Sequence, residues 1–231
     1  MIKKKNLLIA IIPARKGSKG IVKKNMKILS GKPLIYYTIK AALSSKYIDK
    51  TIISSDDEKV IKYVKKFNVD LIRRPKNISR DVSTASEVVF HVIKRLSNYE
   101  KNLNPFIIYL QPTSPLRTSD HIDKMISNFE KDKRTCAISI KEIDSSLNKS
   151  FRIDDKKNLK TVFNKKYSNS NRQDLPKLYL ANGAIYLFRM SHFLKLKGFP
   201  TSGNYPYIMK EKDSIDIDSI NDFKLASKYL K

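Results

Sequence analysis

The 231-residue chain has a single cysteine and no tryptophan. A disulfide framework needs paired cysteines, so the covalent staples of small secreted folds are excluded and the chain reads as cytoplasmic. Cys136 sits in the apolar run Cys136-Ala137-Ile138-Ser139-Ile140, which reads as a buried strand rather than a catalytic thiol. Six glycines and nine prolines are scattered along the chain, which excludes collagen-like and disordered compositions. Long apolar runs are also missing. Lys3-Lys4-Lys5 followed by Leu7 to Ile12 superficially resembles a signal peptide, but the run is about six residues long and meets Pro13-Ala14-Arg15-Lys16, which offers neither a membrane span nor a cleavage site. A buried strand is expected there, and no membrane partner.

Acidic residues are scarce as well. Only 22 Asp and Glu stand against 47 Lys and Arg, for a net charge of +25 and a pI near 9.9. Such an excess raises the question of nucleic acid. Yet 37 of the basic residues are lysines, tryptophan is absent, and no basic motif is interleaved with aromatics. Most of the charge therefore reads as a solvated face, with a minority serving an anionic ligand. A basic nucleic-acid-binding module is only a remote alternative, and no nucleic-acid partner is expected.

What is present is an alternation of two segment types. Short apolar runs at Leu7 to Ile12, Thr51 to Ser55, Asp70 to Arg73, Phe106 to Leu110, Cys136 to Ile140 and Ala184 to Phe188 read as strands. Helical spacing appears at Leu34 to Leu43, Glu58 to Phe67, Ser86 to Leu96 and Ile122 to Phe129. Strands followed by helices predict βαβ units, an α/β fold and a largely parallel sheet, whose ligands bind beyond the carboxyl ends of the strands. The length suits a single domain over 1–231. The pattern lapses across the polar stretch 141–177, expected to be a small excursion or a dimerisation arm. Ser219 and Asp222 announce a capping box and a last helix through Phe223, Leu225, Ala226 and Tyr229.

Chemistry is expected in the loops after strands. Pro13-Ala14-Arg15-Lys16-Gly17-Ser18-Lys19-Gly20, then Lys23-Lys24-Asn25, combines two glycines with several cations, the outline of a phosphate cradle. It matches neither the P-loop nor the dinucleotide spacing. Composition alone leaves the loop open between a phosphate site and a basic surface turn. Asp216 and Asp218 are spaced i, i+2, which puts both carboxylates on one side of an extended segment, and such hard oxygen donors suit Mg²⁺. The alternative is that Asp218 merely starts the last helix. Asp56, at the end of a strand, is a weaker metal candidate or a helix cap. His91, His121 and His192 have no metal-like spacing and read as structural or exposed.

The run Ile11 to Gly20 with Lys24-Asn25 resembles the signature of the acylneuraminate cytidylyltransferases, the CMP-sialic acid synthetases. The likeness continues in order through Lys32-Pro33-Leu34-Ile35, Ser54-Ser55-Asp56, Arg74-Pro75, the block Gln111 to Arg117, Asn182-Gly183-Ala184-Ile185-Tyr186 and Asp213 to Asp218. It implies a Rossmann-like nucleotidyltransferase domain with a mostly parallel sheet and a small dimerisation excursion at 141–177. It also implies CTP as co-substrate, Mg²⁺ or Mn²⁺, a nonulosonic acid as acceptor and a homodimer.

The implied reaction is attack of the sugar acid's anomeric hydroxyl on the α-phosphorus of CTP, with pyrophosphate leaving. By resemblance Arg15 and Lys24 contact the phosphates, with Lys24 stabilising the transition state, while Ser18 and Asn25 hold the triphosphate or the loop. Arg74 lies near the base and Gln111 near the sugar acid. Lys149 and Arg172 come from the neighbouring protomer toward the sugar carboxylate, which a bidentate Arg suits. Asp216 and Asp218 hold the metal. Arg117 and Ser114 shape their loop. Three departures, Lys16, Leu180-Ala181 before Asn182 and the segment Asp81 to Ser86, surround the sugar and base. They leave legionaminic, pseudaminic and 3-deoxy-octulosonic acids, or another nucleotide, as alternatives.

Overall fold

The computed structural model describes residues 6–17, 20–132 and 134–230. In chain order these form β1 (Leu8–Ala14), β2 (Ile28–Leu29), β3 (Lys32–Pro33), α1 (Leu34–Leu43), β4 (Lys50–Ser55), α2 (Glu58–Val64), β5 (Asp70–Arg73), α3 (Ala85–Arg95) and α4 (Asn98–Asn102). There follow β6 (Phe106–Tyr109), α5 (Ser119–Phe129), β7 (Cys136–Ile143), β8 (Phe151–Ile153), β9 (Leu159–Thr161), β10 (Leu178–Arg189), α6 (Met190–Leu196), β11 (Tyr205–Ile208) and α7 (Ile220–Tyr229).

The central sheet has seven strands in the order β11-β7-β10-β6-β1-β4-β5. β1 runs parallel to β4 and β6, β4 to β5, and β11 to β7. Only β10 is antiparallel to its two neighbours. The expected largely parallel α/β sheet is therefore present, with one inverted strand inside it. Leu8 to Ile12 are fully buried, as befits a parallel strand covered on both faces. Because side chains alternate across a strand, Leu8, Ala10 and Ile12 join Ile35 and Ile39 of α1 and Ile122 of α5, while Ile9 and Ile11 join Val89 and Val92 of α3 and Phe193 of α6. Two helical layers thus sandwich the sheet.

A third, smaller cluster positions the site. Ile21, Leu29, Leu34, Ile217, Phe223 and Ala226 pack together, fastening the segment after β1 to the segment that leads into α7. The capping box of α7 is formed as expected, Ser219 Oγ accepting from the Asp222 N–H and Asp222 accepting from the Ser219 N–H, an arrangement worth ~1 kcal/mol. Ser219 is the cap, so Asp218 precedes the helix and keeps its carboxylate for other work.

The expected strand at Ala184 begins at Leu178 instead. Tyr179 and Leu180 are exposed and pair with Glu142 and Lys141 beyond the core, so the apolar run Leu178 to Ala181 extends the sheet on the solvent side. Gly183, at φ +73°, sits where the register shifts. The stretch 141–177 contains the end of β7, the β8–β9 hairpin and short 3₁₀ turns. Cys136 is buried in β7, as its neighbours predicted.

Candidate active site

A cleft of about 310 Å³ opens beyond the carboxyl ends of β1 and β6, where ligands of parallel α/β sheets bind. Arg15, Gly17, Lys24, Asn25, Arg74 and Gln111 line it, joined by Tyr109, Thr113 and the residues Ser83 to Ala85 at the start of α3. Four residues expected at the nucleotide, Arg15, Lys24, Asn25 and Arg74, therefore share one space with Gln111, expected at the sugar acid. Ser18 lies outside the described residues.

The loop after β1 is held by its own side chains. Asn25 Nδ2 donates to the Arg15 carbonyl at 3.0 Å, so Asn25 shapes the loop. Arg15 Nη1 lies 2.6 Å from Asp81 Oδ1, which ties the loop to the segment before α3. The Lys16 N–H donates to Asp56 Oδ1 at 2.8 Å. Asp56 is thus a loop anchor, and the cap of α2 is Asp57, whose carboxylate accepts from the Lys59 N–H. A Cβ at Gly20 would fall 2.2 Å from the Asp218 carbonyl oxygen, so only glycine allows the loop to approach the aspartate segment this closely.

Lys24 bridges the two segments. Only 9% of the residue is exposed, and its Nζ donates to the Ile217 carbonyl at 2.6 Å and to Asp218 Oδ1 at 3.0 Å. Ile217 is buried between the exposed Asp216 and Asp218, the alternation expected of an extended strip. The Ile217 N–H donates to the Thr113 carbonyl at 2.8 Å, which lays this strip beside the loop after β6. A Cβ at Gly183 would stand 3.0 Å from Gln111 Oε1 and 3.6 Å from Asp216 Oδ2. The absence of a side chain there lets the Gln111 amide and the Asp216 carboxylate converge.

Electrostatics follow from burial. The Asp216 carboxyl is pushed above its ordinary range by burial and further by the neighbouring Asp218, against a Thr113 hydrogen bond and the Lys24 charge. Burial likewise raises the Tyr186 hydroxyl, with Asp216 adding to it. Arg74 is buried, donating from Nη2 to the Ser54 carbonyl at 2.9 Å and from Nε to Ser54 Oγ at 3.3 Å. Its guanidinium pKa is lowered by burial, and Tyr109 and Asp56 partly offset that.

Among the described residues no group of three or more His, Cys, Asp or Glu is gathered as a metal cage. Mg²⁺, however, is typically bound by one or two carboxylates, with substrate phosphates and waters completing its shell. Asp216 and Asp218 fit that mode. A carboxylate whose pKa is already raised by desolvation and a like charge, as that of Asp216 is, is a group that a cation relieves. His91 and His121 make structural contacts, the former with Arg95 and the latter as part of the α5 capping box.

Lys149 and Arg172 are not brought to this cleft within one chain. Lys149 ends a 3₁₀ turn and Arg172 Nη2 reaches Asp144 at 3.4 Å, both on the excursion. Tyr109 is a cleft residue that sequence reasoning missed, while Ser83 to Ala85 belong to the Asp81 to Ser86 segment expected around the sugar and base. Tyr109 hides in an apolar strand, whereas Thr84 and Glu87 form a capping box whose spacing was readable.

Residues 9–225 match the family model described as cytidylyltransferase. The chain is 35% identical over 220 residues to the N-acylneuraminate cytidylyltransferase of Escherichia coli O18:K1:H7, covering 95% of this chain and 51% of that protein. It therefore spans about half the length of that relative. It is 30% identical over 219 residues to the pseudaminic acid cytidylyltransferase of Campylobacter jejuni, covering 94% of each. Among solved structures, a CMP:2-keto-3-deoxy-manno-octonic acid synthetase complexed with CTP superposes with a TM-score of 0.72 over 97% of this chain and 98% of that one, at 14% identity. The fold, the cleft at the carboxyl ends of the strands and the near end-to-end family match lead to one conclusion: this chain belongs to the cytidylyltransferase family.

Proposed function

We propose that the protein transfers CMP from CTP to the anomeric hydroxyl of a sialic-acid-like nonulosonic acid, releasing pyrophosphate. The observation that carries this reading is the placement of Lys24 between a cationic, glycine-containing loop and the Asp216 to Asp218 strip, in a cleft that also holds Gln111. Transfer between anions needs positioning and charge neutralisation more than covalent chemistry. Arg15 and Lys24 supply the positive charge, and Lys24, fixed by two acceptors, is preorganised for the charge that grows on the phosphorus oxygens. Asn25 keeps the loop in shape, with Ser18 assigned to the same loop. Arg74 and Tyr109 form the wall near the base, and Gln111 hydrogen-bonds the sugar acid.

Asp216 and Asp218 would hold Mg²⁺ or Mn²⁺. Such an ion supplies neutralisation of the triphosphate and acidification of the attacking hydroxyl. The Thr113 contact and the Ile217 anchor keep the two carboxylates on one side of their strip.

The chain works as a homodimer in which Lys149 and Arg172 of one copy bind the sugar carboxylate in the cleft of the other. The excursion supports this, since Phe151, Ile153, Leu159 and Val162 are all about half exposed or more, an apolar patch of the kind that marks an interface. The 141–177 segment is then the dimerisation part of one domain over 1–231, and the cytoplasm is its place of action.

The test is pyrophosphate release from CTP, GTP, ATP or UTP with Mg²⁺ and a panel of sialic, legionaminic, pseudaminic and 3-deoxy-octulosonic acids. CTP with a nonulosonic acid is expected to react, and silence across the panel rejects the reading. The Campylobacter relative and the departure at Leu180-Ala181 give pseudaminic acid a specific claim within the panel.

A further inference from the structure

A second cavity, of about 410 Å³, lies on the face of the sheet covered by α1 and α5 and shares no lining residue with the active-site cleft. Its wall includes Arg117, of which only 1% is exposed. Arg117 Nη1 donates to the Gln111 carbonyl at 3.1 Å and to the Ala184 carbonyl at 3.0 Å. Its Nε and Nη2 are buried and have no partner. A guanidinium brings five donors in a fixed fork suited to a carboxylate or phosphate, and unanswered charged donors are among the costliest groups to bury. Burial pushes this guanidinium's pKa down to about 9, which a bound anion would reverse.

The rest of the lining agrees. Lys40 and Lys212 join Arg117, against one carboxylate, Asp213. That carboxylate faces His121 Nε2 at 3.6 Å. Tyr36, Tyr37 and Tyr229 supply aromatic surface. The Tyr37 hydroxyl is already committed, donating to the Leu29 carbonyl at 2.5 Å, so this tyrosine offers its ring rather than its polar end. A few cations set among rings, in a space of a few hundred Å³, is the usual make-up of a small-molecule site.

We propose that this cavity binds a small organic anion, a carboxylate or phosphate carried on a flat ring, and that its occupant acts as an effector of the cleft through Arg117. One guanidinium in the cavity wall holds the Gln111 carbonyl with Nη1 while its buried Nε and Nη2 remain without partners. An anion that fixes Arg117 therefore fixes the backbone of Gln111 and preorganises it. The effector half of the proposal rests on the sugar-acid role given to Gln111 above, whereas the binding half does not.

Calorimetry on the 231-residue chain with CTP saturating keeps the cleft filled while phenyl phosphate, benzoate, inorganic phosphate and acetate are titrated. The expected result is one phenyl phosphate or benzoate per chain, with the ringless anions weaker by about tenfold and the Lys40→Glu/Lys212→Glu variant weakened by about tenfold or more. Both lysines are outside the catalytic cleft, so the variant should retain the parent's CTP dependence. No binding of a ringed anion, or equal binding by the variant, overturns the site. Equal binding of phosphate or acetate overturns the ring preference. In the transfer assay, phenyl phosphate should lower KM for the sugar acid several-fold in the parent and leave the variant unchanged. Binding with no change in KM overturns the effector role. Should the transfer reaction itself fail, calorimetry still decides the site.

Discussion

Lys24 Nζ lies 3.0 Å from the Asp218 carboxylate, joining two segments almost two hundred residues apart. The lysine is largely buried while the Asp218 side chain is 80% exposed. The ammonium is thus held from beneath by protein and aspartate, with its site opening toward the cleft. Removing it should cost catalysis far more than folding. Lys24→Met is expected to lower kcat by about 10²- to 10³-fold, the range for losing one preorganised charge-stabilising donor, with unchanged far-UV circular dichroism. A rate within a few-fold of the parent would mean that the phosphate site lies elsewhere.

Gly20 tests the same junction sterically. Its missing Cβ would clash with the Asp218 carbonyl, and backbone cannot move aside as a flexible side chain can. Gly20→Ala should cost ~1–3 kcal/mol in urea unfolding, as overpacking does, and should depress transfer. Parent-like stability and rate together would show that the two segments need not meet.

Asp218→Asn keeps the shape of the strip but removes one formal charge beside Asp216. The Mg²⁺ concentration for half-maximal transfer should rise by on the order of tenfold or more, with a smaller effect on CTP dependence at saturating metal. A Mg²⁺ titration that overlays the parent's would remove Asp218 from the metal.

His121 gives a pH dependence. Its Nδ1 accepts from the Thr118 N–H at 3.2 Å, which requires the neutral ring, and burial lowers its pKa more than Asp213 raises it. A His whose folded pKa is depressed contributes stability that is present above the unfolded value and lost as pH falls below it. Thermal stability should therefore decline as pH drops from about 7 to about 5 through this group. His121→Gln preserves the capping-box geometry without titrating, so the decline should be shallower. An identical pH profile for the two proteins would show that His121 takes up its proton equally in the folded and unfolded states.

The excursion yields a prediction in trans. If Arg172 of one copy serves the cleft of the other, Arg172→Ala and Lys24→Met proteins are each impaired alone, yet mixing and exchanging subunits should restore part of the activity, because hybrid dimers contain one intact site. No recovery in a verified hybrid would place Arg172 in its own chain's site or in none.

How far the sequence reached depended on the range of the signal. β5 matched its expected bounds and β1 and β4 nearly so, since each is a short apolar run between polar turns. The α7 cap was readable from Ser219 and Asp222 because a capping box is local. β8, β9, β11 and the first half of β10 were not read: the first three are short and interrupted by polar residues or proline, and Leu178 to Ala181, although apolar, face solvent for the most part. Within the site, Arg15, Lys24 and Gln111 stood out in contiguous motifs, but no spacing rule could announce that Lys24 would touch Asp218, or that Gly183 leaves room for Gln111 beside Asp216. Arg117 was read as a loop-shaping residue, and its hydrogen bonds to the Gln111 and Ala184 carbonyls agree. Its two unpartnered nitrogens became visible only in three dimensions.

The most direct measurement is ³¹P and ¹³C NMR of the product formed from CTP, Mg²⁺ and each sugar acid in turn. The account predicts one equivalent of pyrophosphate and a CMP phosphodiester joined to the anomeric carbon of at least one nonulosonic acid. Free CMP or CDP without such a linkage, or no turnover of any member of the panel, would contradict it.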